Sequence, residues 1–413
     1  MSVSLLTLAG IFLLTALRQV GNLRFQIWQV MLAGAFVVLV AGEISVGAAV
    51  RAINVDVMLF LCGMFVLGQG LEESGYLAHL SYKYFKRARS RDTLLLMILI
   101  GAAGASALLM NDTLAIIGTP VVLLLARKHA MSPRLFLLAL AFGVTIGSVL
   151  SPIGNPQNLL IALHGGLSNP FLAFLRFLFL PTIVSLGLAY LLLRRAYPND
   201  FHEAELRHSQ EPIRNHELAV LSRLGLNIVV LLVAVRICAS VLAIPLALDL
   251  THIAVAGALP ILVGSAKRWH ILHHLDWHTL VFFAAMFVVM ESVWLSGFFQ
   301  SLIQASGVPL TSLEMILGVS ILISQLISNV PLVALYLPVL QHAGAGASEL
   351  MALAAGSTIA GNMFILGAAS NVIIVQNAEK KARQSITFWE FARLGVPLTL
   401  LNALVYWVFL RWV

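Results

Sequence analysis

The chain has 413 residues, of which 60% are hydrophobic and only 10% charged, and its mean hydropathy is +0.95. A soluble domain carries about 25% charged residues, so this composition excludes a water-soluble enzyme or binding module and identifies a polytopic membrane protein. The formal net charge of +7 lies in short loops between apolar segments rather than on one face, which excludes a nucleic-acid partner and leaves those charges to set orientation in the bilayer.

In chain order, apolar stretches that can cross a membrane lie at 4–17 (short), 26–48 and 55–79; a crossing helix needs roughly 20 residues. The first has no basic leader and no small-residue cleavage site, so it reads as a membrane helix rather than a signal peptide. Segment 93–126 is flanked by Lys83, Lys86, Arg87, Arg89 and Arg91 on one side and by Arg127, Lys128 and Arg134 on the other. By the positive-inside rule both of its ends are cytoplasmic. It is therefore expected to enter and return as a re-entrant hairpin, with Asn111-Asp112-Thr113 near the tip. Segment 133–163 contains Gly154-Asn155-Pro156-Gln157-Asn158 and reads as a helix broken at mid-membrane; 171–193 crosses again. The polar run 194–217 mixes both charge signs with Pro and His, as expected of a cytoplasmic linker.

The second half repeats this order. Segments 222–243, 247–265 and 278–297 cross, and 312–341 contains Ser328-Asn329-Val330-Pro331. Neither 298–311 nor 342–348 holds a Lys or Arg, so this hairpin is expected to open on the outer side. Segment 348–376 is interrupted at Gly367-Ala368-Ala369-Ser370-Asn371, and 388–410 ends the series. The fold class that follows is an all-α polytopic membrane protein with two inverted repeats of five crossings, each with a re-entrant hairpin and a broken helix. The expected units are 1–193, the linker 194–217 and 218–413, with transport elements 92–163 and 312–376 on a scaffold. Matches of Met64-Phe65-Val66 with Met286-Phe287-Val288, and of Phe174, Arg176 and Pro181 with Phe391, Arg393 and Pro397, support the repeat.

Unpaired amides and backbone groups cost several kcal/mol each in lipid, roughly. Polar breaks at matching places in two apolar halves are therefore the best sequence pointer to a carrier's binding site. Each half-helix beginning at a break presents about +0.5 charge to an anion, while carbonyls and side-chain oxygens suit a small cation. The substrate-binding candidates are Asn111, Thr113, Asn155, Pro156, Gln157, Asn158, Ser328, Asn329, Pro331, Ser370 and Asn371. The cation-binding candidates are Asn111, Asp112, Gly154, Ser328, Asn329 and Gly367.

The strings Asn111-Asp112-Thr113…Pro120, Ser151-Pro152-Ile153-Gly154-Asn155-Pro156-Gln157-Asn158, Ser328-Asn329-Val330-Pro331 and Gly367…Ser370-Asn371 resemble the ion transporter superfamily. That superfamily includes divalent anion/sodium symporters, citrate carriers, arsenite permeases and NhaD-type antiporters. The likeness is nearest to prokaryotic anion permeases with a Gly-Asn-Pro-Gln-Asn string, and to arsenite permeases at Asn111-Asp112. It implies a homodimer in the cell (inner) membrane, with a scaffold and a moving transport domain working by elevator-type alternating access. In the symporter branch a Ser-Asn-Thr triplet at each tip binds Na⁺ and substrate carboxylate. Ser328-Asn329-Val330 keeps its first two members, whereas Met110-Asn111-Asp112 keeps only Asn and gains an acid.

An intramembrane carboxylate is costly and is a functional residue by default. Asp112 is thus a Na⁺ ligand, a proton carrier or a cap of the returning helix. No Lys or Arg occurs in 92–126, 135–163 or 312–376, so an anionic solute relies on helix ends, amides and a cotransported cation. The expected activity is secondary transport of a small anion coupled to Na⁺ or H⁺, with Na⁺/H⁺ antiport or arsenite-type efflux through Asp112 as the alternative. Neither an enzyme nor a cofactor or metal site is expected: the chain has no Gly-x-Ser-x-Gly elbow and no His-Glu-x-x-His. Cys62 and Cys238 read as buried structural thiols, and His270, His273, His274 and His278 as an interfacial basic–aromatic segment rather than a zinc site.

Overall fold

The computed structural model describes residues 3–17, 19–20, 23–24, 26–201, 213–242, 244, 246, 248–298, 311–383 and 386–412. Residues 202–212 of the expected linker and 299–310 before the second hairpin lie outside the described residues. The fold is all-α apart from a two-residue ladder between β1 (Gln19–Val20) and β2 (Leu23–Arg24). Among the described residues, six helices are long and apolar enough to cross a bilayer, and four more apolar helices are shorter.

In the first half, α1 (Val3–Leu17), α2 (Ile27–Val40), α3 (Val46–Ala52), α4 (Val55–Ser74) and α5 (Tyr76–Phe85) precede the hairpin α6 (Arg91–Leu108) and α7 (Asn111–Lys128). Next come α8 (Pro133–Val149), α9 (Pro156–His164) and α10 (Pro170–Ala196). The second half runs α11 (His216–Val241), α12 (Leu250–Gly264), α13 (Arg268–His273) and α14 (Trp277–Leu295). Its hairpin α15 (Leu313–Ile327) and α16 (Asn329–His342) leads to α17 (Ala347–Ile359), α18 (Ala369–Ala382) and α19 (Phe388–Trp412).

By length α6 alone could cross the bilayer; its packing shows that it is one arm of a hairpin. A Cβ on Gly143 or Gly147 of α8 would meet Leu99 or Ala103 of α6, so these two helices run parallel. A Cβ on Gly118 of α7 would meet Leu140 of α8, and the Asn111 N–H donates to the Gly154 carbonyl at 3.1 Å, so α7 runs back along α8. The reversal takes only Leu109 and Met110. In the second half, Gly356 of α17 faces Leu317 and Ser320 of α15, and Gln325 donates to the Ala360 carbonyl at 2.8 Å. Hairpin arm and broken helix again run parallel.

The two hairpins enter from opposite faces. Helix α9 leaves the first break away from α8 and ends at His164, whose carbonyl accepts from Gln341 near the far end of α16. The first hairpin's far end lies at the other face, where Arg91 donates to the His129 carbonyl at 3.0 Å and Arg134 pairs with Glu390 at 2.5 Å. The repeat is thus inverted in space.

The halves also interlock. Helix α4 packs against α11 and α12 of the second half, while α14 packs against α1 and α2 of the first. At the crossing of α4 and α12 a Cβ on Gly63 would lie 2.8 Å from the Ala254 carbonyl oxygen; backbones approach this closely only over small residues, the usual means of helix association in lipid. The two bundles touch where α14 meets α4, and both hairpins and both broken helices pack on one another, with α10 packed on α8, α17 and α19, and α19 on α17. One sequence expectation changes here. Cys62 is half-buried and Cys238 exposed, not both buried. Arg236 donates to the Leu246 carbonyl, and Glu43 accepts from the Val3 N–H and the Ser4 hydroxyl.

Candidate functional site

The first break is closed by its own amides. Helix α8 ends at Val149, and the Asn158 amide donates to the carbonyls of Ser148 at 2.9 Å and Ser151 at 3.1 Å. Its oxygen accepts from Thr358 of α17 at 3.3 Å. Asn155 caps α9 by accepting the Asn158 N–H at 2.9 Å, and donates to the Ser148 and Thr358 hydroxyls at 3.1 and 3.2 Å. Pro156 occupies the first helical position, where no N–H is needed. Gly154 cannot carry a side chain, because a Cβ would sit 2.6 Å from the Ser148 carbonyl oxygen. Gln157 adds a weaker bond to Thr358 at 3.4 Å.

The second break unwinds differently, through two single 3₁₀ turns, Ala360–Asn362 and Ile365–Gly367. Asn371 of α18 donates to the Gly361 carbonyl at 2.6 Å, the counterpart of Asn158. The oxygens of Asn371, Ser370 and Gln325, and both polar atoms of Asn362, are buried without a hydrogen-bond partner. At the hairpin tips, the side-chain oxygens of Asn111 and Asn329 are buried and unpartnered as well. Ser328 at the second tip has φ 74° and ψ 159°, a region essentially reserved for glycine and costing about 1–3 kcal/mol for other residues.

These pieces meet around one cavity of about 230 Å³. Asn111 and Asp112 begin α7 on its wall, Pro156 and Gln157 begin α9, Ser328, Asn329 and Val330 begin α16, and Ala368 and Ala369 begin α18. Four helix N-termini therefore converge there, two from each half. The remaining wall comes from the start of α14, with His278, Thr279, Phe282 and Phe283, and from Trp28 of α2. The Trp28 and His278 rings stack at 4.9 Å, and Asp276 holds the turn beneath them by accepting the Thr279 N–H at 3.1 Å and its hydroxyl at 2.6 Å. Among the described residues, the lining contains no Lys or Arg, and Asp112 is its only acid.

Of the residues expected from sequence, Asn111, Asp112, Pro156, Gln157, Ser328 and Asn329 stand on the cavity wall. Asn155, Asn158 and Gly154 lie one layer behind in the first break; Ser370, Asn371 and Gly367 do so in the second. Thr113 packs against Gly68 of α4, where a Cβ would meet its methyl carbon at 2.7 Å. Pro331 is buried in the first turn of α16. Sequence reasoning missed Trp28, Thr279, Phe282 and Phe283, and assigned His278 to the interfacial histidine group. A His and a Thr in the first turn of an otherwise apolar helix were their only sequence trace.

The citrate transporter family matches residues 11–350. The chain belongs to that family, and so to the ion transporter superfamily. It is 30% identical over 369 residues to a 46 kDa membrane protein of Mycobacterium leprae, covering 85% of this chain and 84% of that one. It is 27% identical over 437 residues to a silicon efflux transporter of Oryza sativa subsp. japonica, with 89% of each covered. The crystal structure of the Alcanivorax borkumensis YdaH transporter, described as having an unusual topology, shares the fold at a TM-score of 0.56 and 16% identity, over 92% of this chain and 87% of that one. The protein is a multi-pass membrane transporter, not an enzyme.

Proposed function

We propose that the protein moves a small anion or weak oxyacid through the cavity between the two hairpins, driven by Na⁺ or H⁺, by elevator-type alternating access in a homodimer. The observation that carries this reading is the convergence of four helix N-termini on a cavity whose wall, among the described residues, has no Lys or Arg. Each N-terminus contributes about half a positive charge at short range, and free N–H groups supply directional donors. That is enough for a monoanion or a neutral acid and poor for a tricarboxylate, which calls for an arginine clamp. The cavity volume of about 230 Å³ falls below the ~300–1,000 Å³ of drug-sized sites, which also favours a small solute. The unpartnered oxygens of Asn111 and Asn329 offer one cation ligand per tip.

Asp112 favours a second reading, cation/proton antiport or proton-linked efflux, because it is the one acid on the wall. Ionised, it repels an anion, so anion entry requires a cation or a proton at that carboxylate. The name of the silicon efflux relative agrees with a weak-acid solute under either reading. The elevator proposal draws on the packing of hairpins, broken helices, α10 and α19 on one another, apart from the joined bundles of α1, α2 and α14 and of α4, α11 and α12. The face that carries Arg91, Arg134 and Arg194 is the cytoplasmic one under the positive-inside rule.

The test is transport by purified protein in liposomes, with Na⁺ and proton gradients imposed separately against a panel of small oxyanions and carboxylates. Anion-dependent, cation-driven flux is expected, and Asp112→Asn should uncouple it. Cation/proton exchange that needs no anion would replace the first reading by the second. Met110, not Asp112, is the N-cap of α7, and no side chain caps that end, so an Asp112→Asn variant with unchanged rate and coupling leaves Asp112 only a first-turn charge that favours the helix dipole.

A further inference from the structure

Away from the cavity, the last turn of α4 meets α13 at a cluster that the transport reading does not use. Glu73, His270 and His274 each bring one ligand-type atom to within 4.8 Å of the other two, and one pair, His270 Nε2 and Glu73 Oε1, is 3.1 Å apart. We infer that Glu73, His270 and His274 form a divalent transition-metal site, of the zinc class, that clamps α13 to the end of α4.

Donor type, spacing and supporting bonds all fit. Two imidazoles and one carboxylate are the borderline N/O donor set that Zn²⁺ and its neighbours take, with a fourth position left for water. Tetrahedral bonds of about 2.0–2.1 Å place ligand atoms roughly 3.4 Å apart. The Glu73–His270 pair is already near that spacing, and the widest gap closes by rotation of partly exposed side chains. His270 and His274 are one helical turn apart, so their rings lie on one face, with centroids 4.1 Å apart. Each flanking ligand is also held from behind. The Gln69 amide donates to Glu73 Oε1 at 3.0 Å, and His274 Nδ1 lies 2.8 Å from the His270 carbonyl oxygen. A carbonyl only accepts, so Nδ1 carries the proton and Nε2 keeps its lone pair for a metal. Backing of this kind is the usual support of metal-ligating histidines and carboxylates.

The location gives the site a consequence. His274 lies two residues before Asp276, whose carboxylate caps the turn of α14 that carries His278 and Thr279. A metal at Glu73, His270 and His274 fastens the corner from which the cavity wall starts. His273, next in sequence to His274, is not part of the cluster and serves as an internal control.

The experiment measures metal binding alone and needs no transported solute, so it stands or falls apart from the transport reading. Full-length protein purified without a polyhistidine tag is titrated with Zn²⁺ and, for its visible spectrum, with Co²⁺. The expected result is one metal per chain with micromolar affinity and a tetrahedral Co²⁺ spectrum. His270→Ala, His274→Ala and Glu73→Gln should each weaken binding at least tenfold, Gln69→Ala about tenfold, and His273→Ala not at all. Retention of the variants' size-exclusion profiles separates loss of a ligand from loss of the fold. Absence of stoichiometric binding overturns the site, as does binding that the three ligand substitutions leave unchanged or that His273→Ala abolishes.

Discussion

The two breaks begin from nearly the same sequence device and end with different internal chemistry. In the first, Asn155, Asn158 and Thr358 bond to one another and to the carbonyls where α8 stops. In the second, Asn371 reaches a single carbonyl, that of Gly361, and five buried polar atoms of Asn371, Ser370, Gln325 and Asn362 keep no partner. The tips differ too: the first is unstrained and carries Asp112, while the second carries a strained Ser328 and an apolar Val330. An inverted repeat therefore need not divide labour equally. The first half supplies a rigid, satisfied break and the charge; the second supplies open polar valences and backbone strain, which are the usual marks of ligand contact and movement.

The largest effects are expected where the comparison breaks down, at the two residues the tips share. Asn111→Ala and Asn329→Ala should each lower transport by more than about 100-fold, a loss of roughly 2.7 kcal/mol or more of transition-state stabilisation. Their side-chain oxygens have no protein partner, so neither change should lower the thermal midpoint in detergent by more than a degree or two. A parallel fall in stability would make both residues structural caps.

Next come the amides behind the breaks, where the halves should diverge. Asn158→Ala removes one bond from each of the Ser148 and Ser151 carbonyls and leaves the Thr358 hydroxyl proton without its acceptor, while Asn155 still donates to that hydroxyl and backbone N–H groups still reach both carbonyls. At about 1–3 kcal/mol for the unpaired hydroxyl proton and about 0.5–1.5 kcal/mol for each of the two lost carbonyl bonds, the cost is roughly 2–6 kcal/mol. Asn371→Ala strands the Gly361 carbonyl alone and should cost about 1–2 kcal/mol on the same scale. Thermal unfolding of the two variants side by side measures the difference. Equal losses would show that the second break is held as firmly as the first.

Much of this was legible from the chain. Basic flanks gave one hairpin its side and their absence gave the other its own, and Gly–Asn strings marked both breaks. Six of the expected residues reached the cavity wall. What was not legible is long-range. Trp28, Phe282 and Phe283 lie on continuous apolar helices whose periodicity looks the same whether they face lipid or a solute. They reach the cavity only because α14 of one half packs into α2 of the other, and nothing local encodes that interlock. The unequal bonding of the two breaks was hidden for a related reason. Asn158 is satisfied by Thr358, two hundred residues away, and no spacing rule links them.

Glycine substitutions give a smaller contrast. A Cβ on Gly154 would lie 2.6 Å from the Ser148 carbonyl oxygen and 2.9 Å from its Cα, atoms of a backbone that the amide network holds still. Overpacking of that kind costs about 1–3 kcal/mol. A Cβ on Gly367 would first meet Gln325 Oε1 at 2.8 Å, the unpartnered end of a flexible side chain, and then the Ala360 carbonyl oxygen at 3.0 Å. Gly367→Ala should therefore be the milder change in thermal unfolding, and the reverse order would show that the first break has more give than its hydrogen bonds imply.

The smallest effect has the opposite sign. Ser328 sits at φ 74° and ψ 159°, where glycine is at ease and serine is not. Ser328→Gly removes that strain and should leave thermal stability unchanged or raised by about 1 kcal/mol, after the entropy that glycine adds to the unfolded chain is subtracted. Ser328→Ala keeps the strain and removes only the hydroxyl. If the hydroxyl binds solute or cation, both variants lose transport to a similar degree. If the strain itself poises the tip to move, Ser328→Ala keeps its rate while Ser328→Gly slows. Met110, at the equivalent point of the first tip, has an ordinary φ of −59°, so Met110→Gly can relieve nothing and should only destabilise. Opposite signs for glycine at the two tips are the result expected if strain is confined to the second half.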